Sequence, residues 1–167
     1  MIVPLKNPST VRVLLLQRKG TREFLNVTTI VSSTRSALGK ISVILLEGKS
    51  VDEQATVMGD ADILIGANGT GLINRIYMPI NSCIISFLPF AAPRLIPGKG
   101  SNFNRLFQSL GTTCISHESL EVEESKDLVK WAEEKIIVLE RWFLLTQNIK
   151  VNHTQLHHSL QQCMEFL

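Results

Sequence analysis

The chain is short of most features that announce a partner. Its 167 residues carry 17 Lys and Arg against 15 Asp and Glu, a formal net charge of only +2. That is too small to argue for nucleic acid or a membrane surface as partner. Aromatic residues make up 6% and do not interleave with the scattered cations, so the stacking platform of a single-strand binder is missing. No uninterrupted apolar run approaches the ~20 residues that cross a bilayer, and residues 1–6 carry neither the charged nor the apolar part of a targeting signal. The three cysteines, Cys83, Cys114 and Cys163, have no metal-ligand spacing. Cys83 and Cys114 fall in apolar runs and read as small core residues, and an odd count argues against a complete disulfide framework. No repeat or low-complexity segment interrupts the chain. No acidic metal-binding cluster and no nucleophile with its base can be picked out, so the catalytic residues are unknown at this stage.

What is present is an ordinary globular composition, 44% hydrophobic and 19% charged, long enough for one domain with a full core. Apolar runs bounded by turn signals recur at 11–17, 41–46, 62–65, 83–88 and 113–115. Segments of helical character lie between them at 27–38, 51–58, 71–77 and 102–110. Runs apolar along their whole length, alternating with helices, predict a parallel sheet buried on both faces. The fold class is α/β, a doubly wound, mainly parallel Rossmann-like sheet over residues 1–118. Ser50 with Glu53 reads as a capping box for the helix that carries Gln54. Residues 119–167 read as C-terminal helices packed on that domain. The first has Leu128, Ala132, Ile136, Leu139 and Phe143 on one face, and the second spans 154–166. His153, His157 and His158 in the second lack a third ligand at a compatible interval and read as a solvated face. The Pro- and Gly-rich stretch 89–101 reads as a loop that rims a pocket.

The most informative stretch is Gly66-Ala67-Asn68-Gly69-Thr70-Gly71-Leu72-Ile73-Asn74-Arg75-Ile76-Tyr77-Met78-Pro79, directly after the apolar run 61–65. A buried strand runs into a glycine-rich turn that opens a short helix, and Pro79 ends it. Glycines let the backbone approach a ligand closely, and free N–H groups at a helix start favour anions. The spacing is not the dinucleotide fingerprint. Upstream, Arg18 and Arg22 follow the first strand, where open α/β sheets bind ligands, with Asn26 at the same interval again. An arginine fork there suits a diphosphate.

Arg18, Arg22 and Asn26, then the Glu53-Gln54 helix start, then Gly66, Gly69, Gly71, Leu72, Asn74, Met78 and Pro79, form an ordered set over residues 11–90. It resembles the C-terminal half of the family 61 glycosyltransferases, the eukaryotic enzymes that add xylose, arabinose or N-acetylglucosamine to glycans and glycoproteins. Three positions depart from the family pattern: Asn68 stands for its histidine, Thr70 for its alanine, and Ser86 for a glutamate near the end of the following strand.

The resemblance implies a two-domain enzyme of the GT-B type. This chain would be its nucleotide-sugar half, binding a UDP-sugar that is transferred with inversion. The site for the acceptor, a glycan or glycoprotein, and usually the base belong by that analogy to a missing N-terminal domain. The implied donor contacts are Arg18, Arg22, Glu47, Gln54, Asn68, Gly69, Thr70 and Gly71, with Asn26 and Asn74 as structural support. No metal or other cofactor is expected, and the implied location is the lumen of the Golgi or endoplasmic reticulum. The alternative reading is a catalytically inactive, truncated relative that keeps the fold as a binding or interaction module. An unrelated nucleotide-binding α/β domain comes third. Asn26, Asn68 and Asn152 each begin an Asn-X-Thr acceptor triplet, and only Asn152 is expected to carry a glycan.

Overall fold

The computed structural model describes residues 7, 10–90, 101–120 and 147–167. Ten elements follow in chain order among the described residues. They are β1 (Val13–Gln17), α1 (Val27–Leu38), β2 (Ile41–Leu45), α2 (Val51–Gly59), β3 (Ile63–Ala67), a 3-10 helix (Thr70–Tyr77), β4 (Cys83–Leu88), α3 (Ser101–Ser109), β5 (Thr113–Glu118) and α4 (His153–Phe166). Most of the expected helix over 119–147 (residues 121–146) and of the expected loop over 89–101 (residues 91–100) falls outside the described residues.

The strands form one five-stranded sheet in the order β2-β1-β3-β4-β5, and every pairing is parallel. Alternate residues of each strand point to opposite faces, so each strand feeds two cores. Val13, Leu15, Ile63, Ile65, Ile85 and Phe87 pack with Ile30 and Leu38 of α1 and with Leu156 and Leu160 of α4. Leu14, Leu16, Leu64 and Ile84 pack with Met58 of α2, Leu72 of the 3-10 helix and Phe107 of α3. The placement of the helices follows from handedness. The step from β1 to β2 runs one way along the sheet, and the steps to β3, β4 and β5 run the other way. Crossovers of one hand therefore put α1 on one face and α2, the 3-10 helix and α3 on the opposite one. This is the doubly wound sheet expected from the apolar runs.

Three local features differ from the sequence expectations. β2 is an edge strand among the described residues, and its Ser42 and Val43 are exposed. The helix after the glycine turn is 3-10 rather than α: Leu72 N donates to Gly69 O at 3.0 Å and Met78 N to Arg75 O at 2.8 Å. Gly66 and Gly71 bring it so close to the sheet that a Cβ on Gly66 would meet Leu72 Cδ2 at 2.6 Å, and one on Gly71 would meet Leu16 Cδ2 at 3.1 Å. The cysteine reading is corrected most. Cys83 is not a free core thiol but forms a disulfide with Cys163, joining β4 to α4 across 80 residues. Cys114 takes no part in this disulfide, and burial raises its pKa to about 11.

Caps complete the frame. The box at α2 is formed: Ser50 N donates to Glu53 Oε2 at 2.7 Å and Glu53 N to Ser50 Oγ at 3.2 Å. α4 is capped by Asn152, whose Oδ1 accepts from Thr154 N and Gln155 N, an arrangement worth about 1 kcal/mol.

Candidate functional site: an arginine cradle at the switch point

Because all five strands are parallel, their carboxyl ends share one edge. Gln17 pairs with Leu45, Leu16 with Gly66 and Ala67 with Phe87, so Arg18, Glu47 and Asn68 all emerge on that edge. The chain turns opposite ways from β1 and from β3, and the gap between those two strand ends is where open α/β sheets hold ligands. Arg18 and Arg22 come from the β1 side of the gap, and Asn68, Gly69, Thr70 and Gly71 come from the β3 side.

The loop after β1 is held open over the gap by bonds the sequence gives no hint of. Gln17 clamps Phe24 from both sides, accepting from Phe24 N at 3.0 Å and donating to Phe24 O at 3.3 Å. Phe24 is buried and meets the ring of Phe87 edge-on at 6.0 Å. Glu23 N donates to Asn148 Oδ1 at 3.0 Å, and Leu25 N and Ile149 N exchange bonds with Ile149 O and Glu23 O. Asn26, read as structural support, binds the backbone of Val151 through both amide atoms, at 2.9 and 3.0 Å. Residues 148–151 thus form a crossbar that fixes the arginine loop from more than a hundred residues away.

Within this loop Arg22 adopts φ 58°, unusual for a residue with a side chain. Its Nη1 donates to Asn68 O at 2.7 Å, and its guanidinium occupies the space that a Cβ on Gly69 would need. Asn68 itself is 3% exposed and extends β3, with its N–H donating to Phe87 O at 2.8 Å. Three buried donors at this spot have no hydrogen-bond partner: Arg18 Nε, Arg22 Nε and Asn68 Nδ2. Burial lowers the Arg22 pKa, and the nearby charge of Arg18 lowers it further. Two like charges with unmatched buried donors, and no ion pair to either arginine among the described residues, make this a candidate site for an anion. Thr70 and Gly71 head the 3-10 helix and add N–H groups without intrahelical acceptors.

The other expected residues are less central. Glu47 is exposed beyond the end of β2, on the same edge but one strand away. Gln54 Nε2 is bonded to Lys49 O at 2.9 Å, within the turn that precedes its own helix. Asn74 Nδ2 reaches back to Gly71 O at 3.3 Å and steadies the glycine turn. His153, His157 and His158 are exposed. Ser86, where the family pattern has glutamate, is fully buried and bonded to Ser116 Oγ at 2.8 Å.

A cavity of about 360 Å³ lies at the opposite edge, among Arg12, Lys40, Ser42, Asp60 and neighbouring apolar residues. Its arginine is already paired with Asp60 at 2.8 Å, unlike the two arginines of the cradle. One further buried cation escaped the sequence reading. Arg75, on the 3-10 helix, donates to Thr112 Oγ1, to Met78 O at 3.2 Å and to Leu110 O at 2.9 Å, and it fastens the 3-10 helix to the turn before β5.

The sequence pattern of glycosyltransferase family 61 matches residues 2–85. That is half of the chain, and it contains both sides of the cradle. The chain belongs to glycosyltransferase family 61. Among characterised family 61 proteins of Oryza sativa subsp. japonica, the beta-1,2-xylosyltransferase XAX1 is 23% identical over 168 residues, covering 93% of this chain and 29% of the rice protein. The alpha-1,3-arabinosyltransferase XAT2 is 31% identical over 81 residues, 47% of this chain and 14% of its own length. The beta-1,2-xylosyltransferase XYXT1 is 24% identical over 78 residues, 47% of this chain and 17% of its own length. This family 61 chain therefore spans less than a third of each of these relatives.

Proposed function

We propose that this chain is the nucleotide-sugar-binding part of a GT-B-type family 61 glycosyltransferase, and that its cradle holds the diphosphate of a UDP-sugar. The observation that carries this reading is the set of three unpartnered buried donors, Arg18 Nε, Arg22 Nε and Asn68 Nδ2, at the switch point. A diphosphate supplies the acceptors and negative charge those groups lack. In sugar transfer the diphosphate is the leaving group, and fixed positive charge aimed at it lowers the barrier. The two arginines are placed to supply that charge, so we propose transfer that needs no metal. Glu47 and Gln54 flank the cradle on the β2 side, where the nucleoside would extend. The site for the acceptor, a glycan or glycoprotein, and the base that activates its hydroxyl would come from the rest of a longer protein working in the lumen of the Golgi or endoplasmic reticulum. The xylosyl- and arabinosyltransferase activities of the relatives support a pentose donor.

Uridine diphosphate is expected to bind these 167 residues on their own weakly, with Kd near millimolar, about −4 kcal/mol, because one side of a cleft alone cannot enclose it. Arg18→Ala removes charge-assisted contacts worth roughly 1.5–3 kcal/mol and should weaken binding about tenfold or more. Calorimetric or ligand-observed NMR titration in which wild type and Arg18→Ala bind equally, or in which neither binds, removes the donor-site assignment.

A second reading, a non-catalytic relative acting as a binding module, is favoured by Ser86. A carboxylate at that strand end would pair with ribose hydroxyls, whereas Ser86 is buried against Ser116.

A further inference from the structure

Three Asn-X-Thr triplets occur in the chain, beginning at Asn26, Asn68 and Asn152, and the fold treats them differently. Both amide atoms of Asn26 are bonded to Val151. Asn68 is 3% exposed, and its backbone carbonyl is bonded to Arg22. A bulky sugar on either Nδ2 is incompatible with those contacts. Asn152 stands half-exposed at the start of α4, next to the exposed His153 and Thr154. Its cap uses only Oδ1, which accepts from Thr154 N at 2.9 Å and Gln155 N at 3.2 Å. Attaching a sugar to Nδ2 leaves that oxygen and its lone pairs in place, so one side chain can cap the helix and carry a glycan together.

The disulfide Cys83–Cys163 supplies the second observation. It binds the same helix α4 to β4, with both cysteines wholly buried, and such bonds form and persist in oxidising compartments of the secretory type. Those are also the compartments in which Asn-X-Thr acceptors are glycosylated.

We propose that Asn152 carries an N-linked glycan, and that Asn26 and Asn68 are unmodified in the folded protein. In the step, Asn152 Nδ2 bonds to the anomeric carbon of an oligosaccharide delivered on a lipid-linked diphosphate. The C–O bond to the diphosphate breaks, its electron pair leaves on the phosphate oxygen, and the amide loses one proton. The inference rests on the cap and the disulfide, and stands apart from the donor-site reading.

The test uses the natural protein, immunopurified from the tissue that makes it and digested with an N-glycan amidase in ¹⁸O-water. The peptide containing Asn152 is expected to return as labelled aspartate, and those containing Asn26 and Asn68 unlabelled. Thr154→Ala keeps the Asn152 cap and should abolish the label without changing thermal stability. Asn152→Asp should do the same, since aspartate caps as well as asparagine. Label at Asn26 or Asn68, an unmodified Asn152 in disulfide-bonded protein, or natural protein with Cys83 and Cys163 as free thiols would each overturn the proposal.

Discussion

Arg22 and Asn68, 46 residues apart in sequence, meet across the switch point through a 2.7 Å bond from Nη1 to a backbone carbonyl. The contact explains why the turn after Asn68 needs glycine. Gly69 has φ 156° and no room for a Cβ beside the guanidinium, so its absent side chain is what admits the arginine.

Gly69→Ala should therefore cost about 1–3 kcal/mol of stability through backbone strain and also displace Arg22. Urea unfolding should record the first effect. A fall in uridine diphosphate affinity similar to that of Arg22→Ala should record the second. Unchanged affinity in a folded Gly69→Ala protein would separate Arg22 from the site.

Gly66 and Leu72 form a second tight pair. Gly66→Ala drives a methyl against Leu72 Cδ2 and should cost about 1–3 kcal/mol by overpacking. Leu72→Val in the same chain should recover part of the loss, so that the double variant is more stable than the two single costs summed. Strict additivity in chemical denaturation would contradict this packing account.

Reduction of Cys83–Cys163 should cost about 2–5 kcal/mol, given the long loop it closes. Guanidinium melts with and without reductant, compared with Cys83→Ala/Cys163→Ala, measure it. Cys114, with its pKa raised to about 11 by burial, should resist alkylation at pH 7–8 until the protein unfolds. Fast labelling of the native chain would show the thiol is not shielded.

Acid should destabilise the fold through His117. Burial first, and then the charge of His158, lower its pKa, and its Nε2 is bonded to Ser159 Oγ at 2.5 Å. The unfolded chain binds this proton more readily than the folded one. Stability is thus complete above the usual imidazole value of about 6.5 and falls as pH drops below it. His117→Gln should flatten that part of the stability–pH curve. A variant curve with the wild-type slope would assign the acid sensitivity to other groups.

Much of the fold is legible in local sequence. Whole-length apolar runs separated by helical segments define a parallel sheet, because two-face burial leaves no polar alternation to read. Ser50 and Glu53 announce their cap because both partners lie within one turn. The arginines and the glycine turn are readable as an ordered set. Non-local features are not. The Gln17 clamp on Phe24, the bonds of Asn26 to Val151, the grip of Arg75 on Thr112 and the pairing of Cys83 with Cys163 join residues whose spacing obeys no period. For the glycines the emphasis shifts. Gly66 and Gly71 make room for Leu72 and Leu16, so their first purpose is packing.

The crossbar of residues 148–151 bears on how the chain is made. The bonds that hold Glu23 and Asn26 span 125 residues, so the arginine loop lacks its crossbar until almost the whole of this sequence has left the ribosome. β1, β2 and β3 can assemble while synthesis proceeds, since domains fold progressively from the N-terminus. The completed cradle cannot: its closing contacts join residues 125 apart and carry a large entropic cost. The proposed binding site is therefore completed last, and a nascent chain stopped before residue 148 would have the sheet's first strands without the crossbar that fixes the arginine loop.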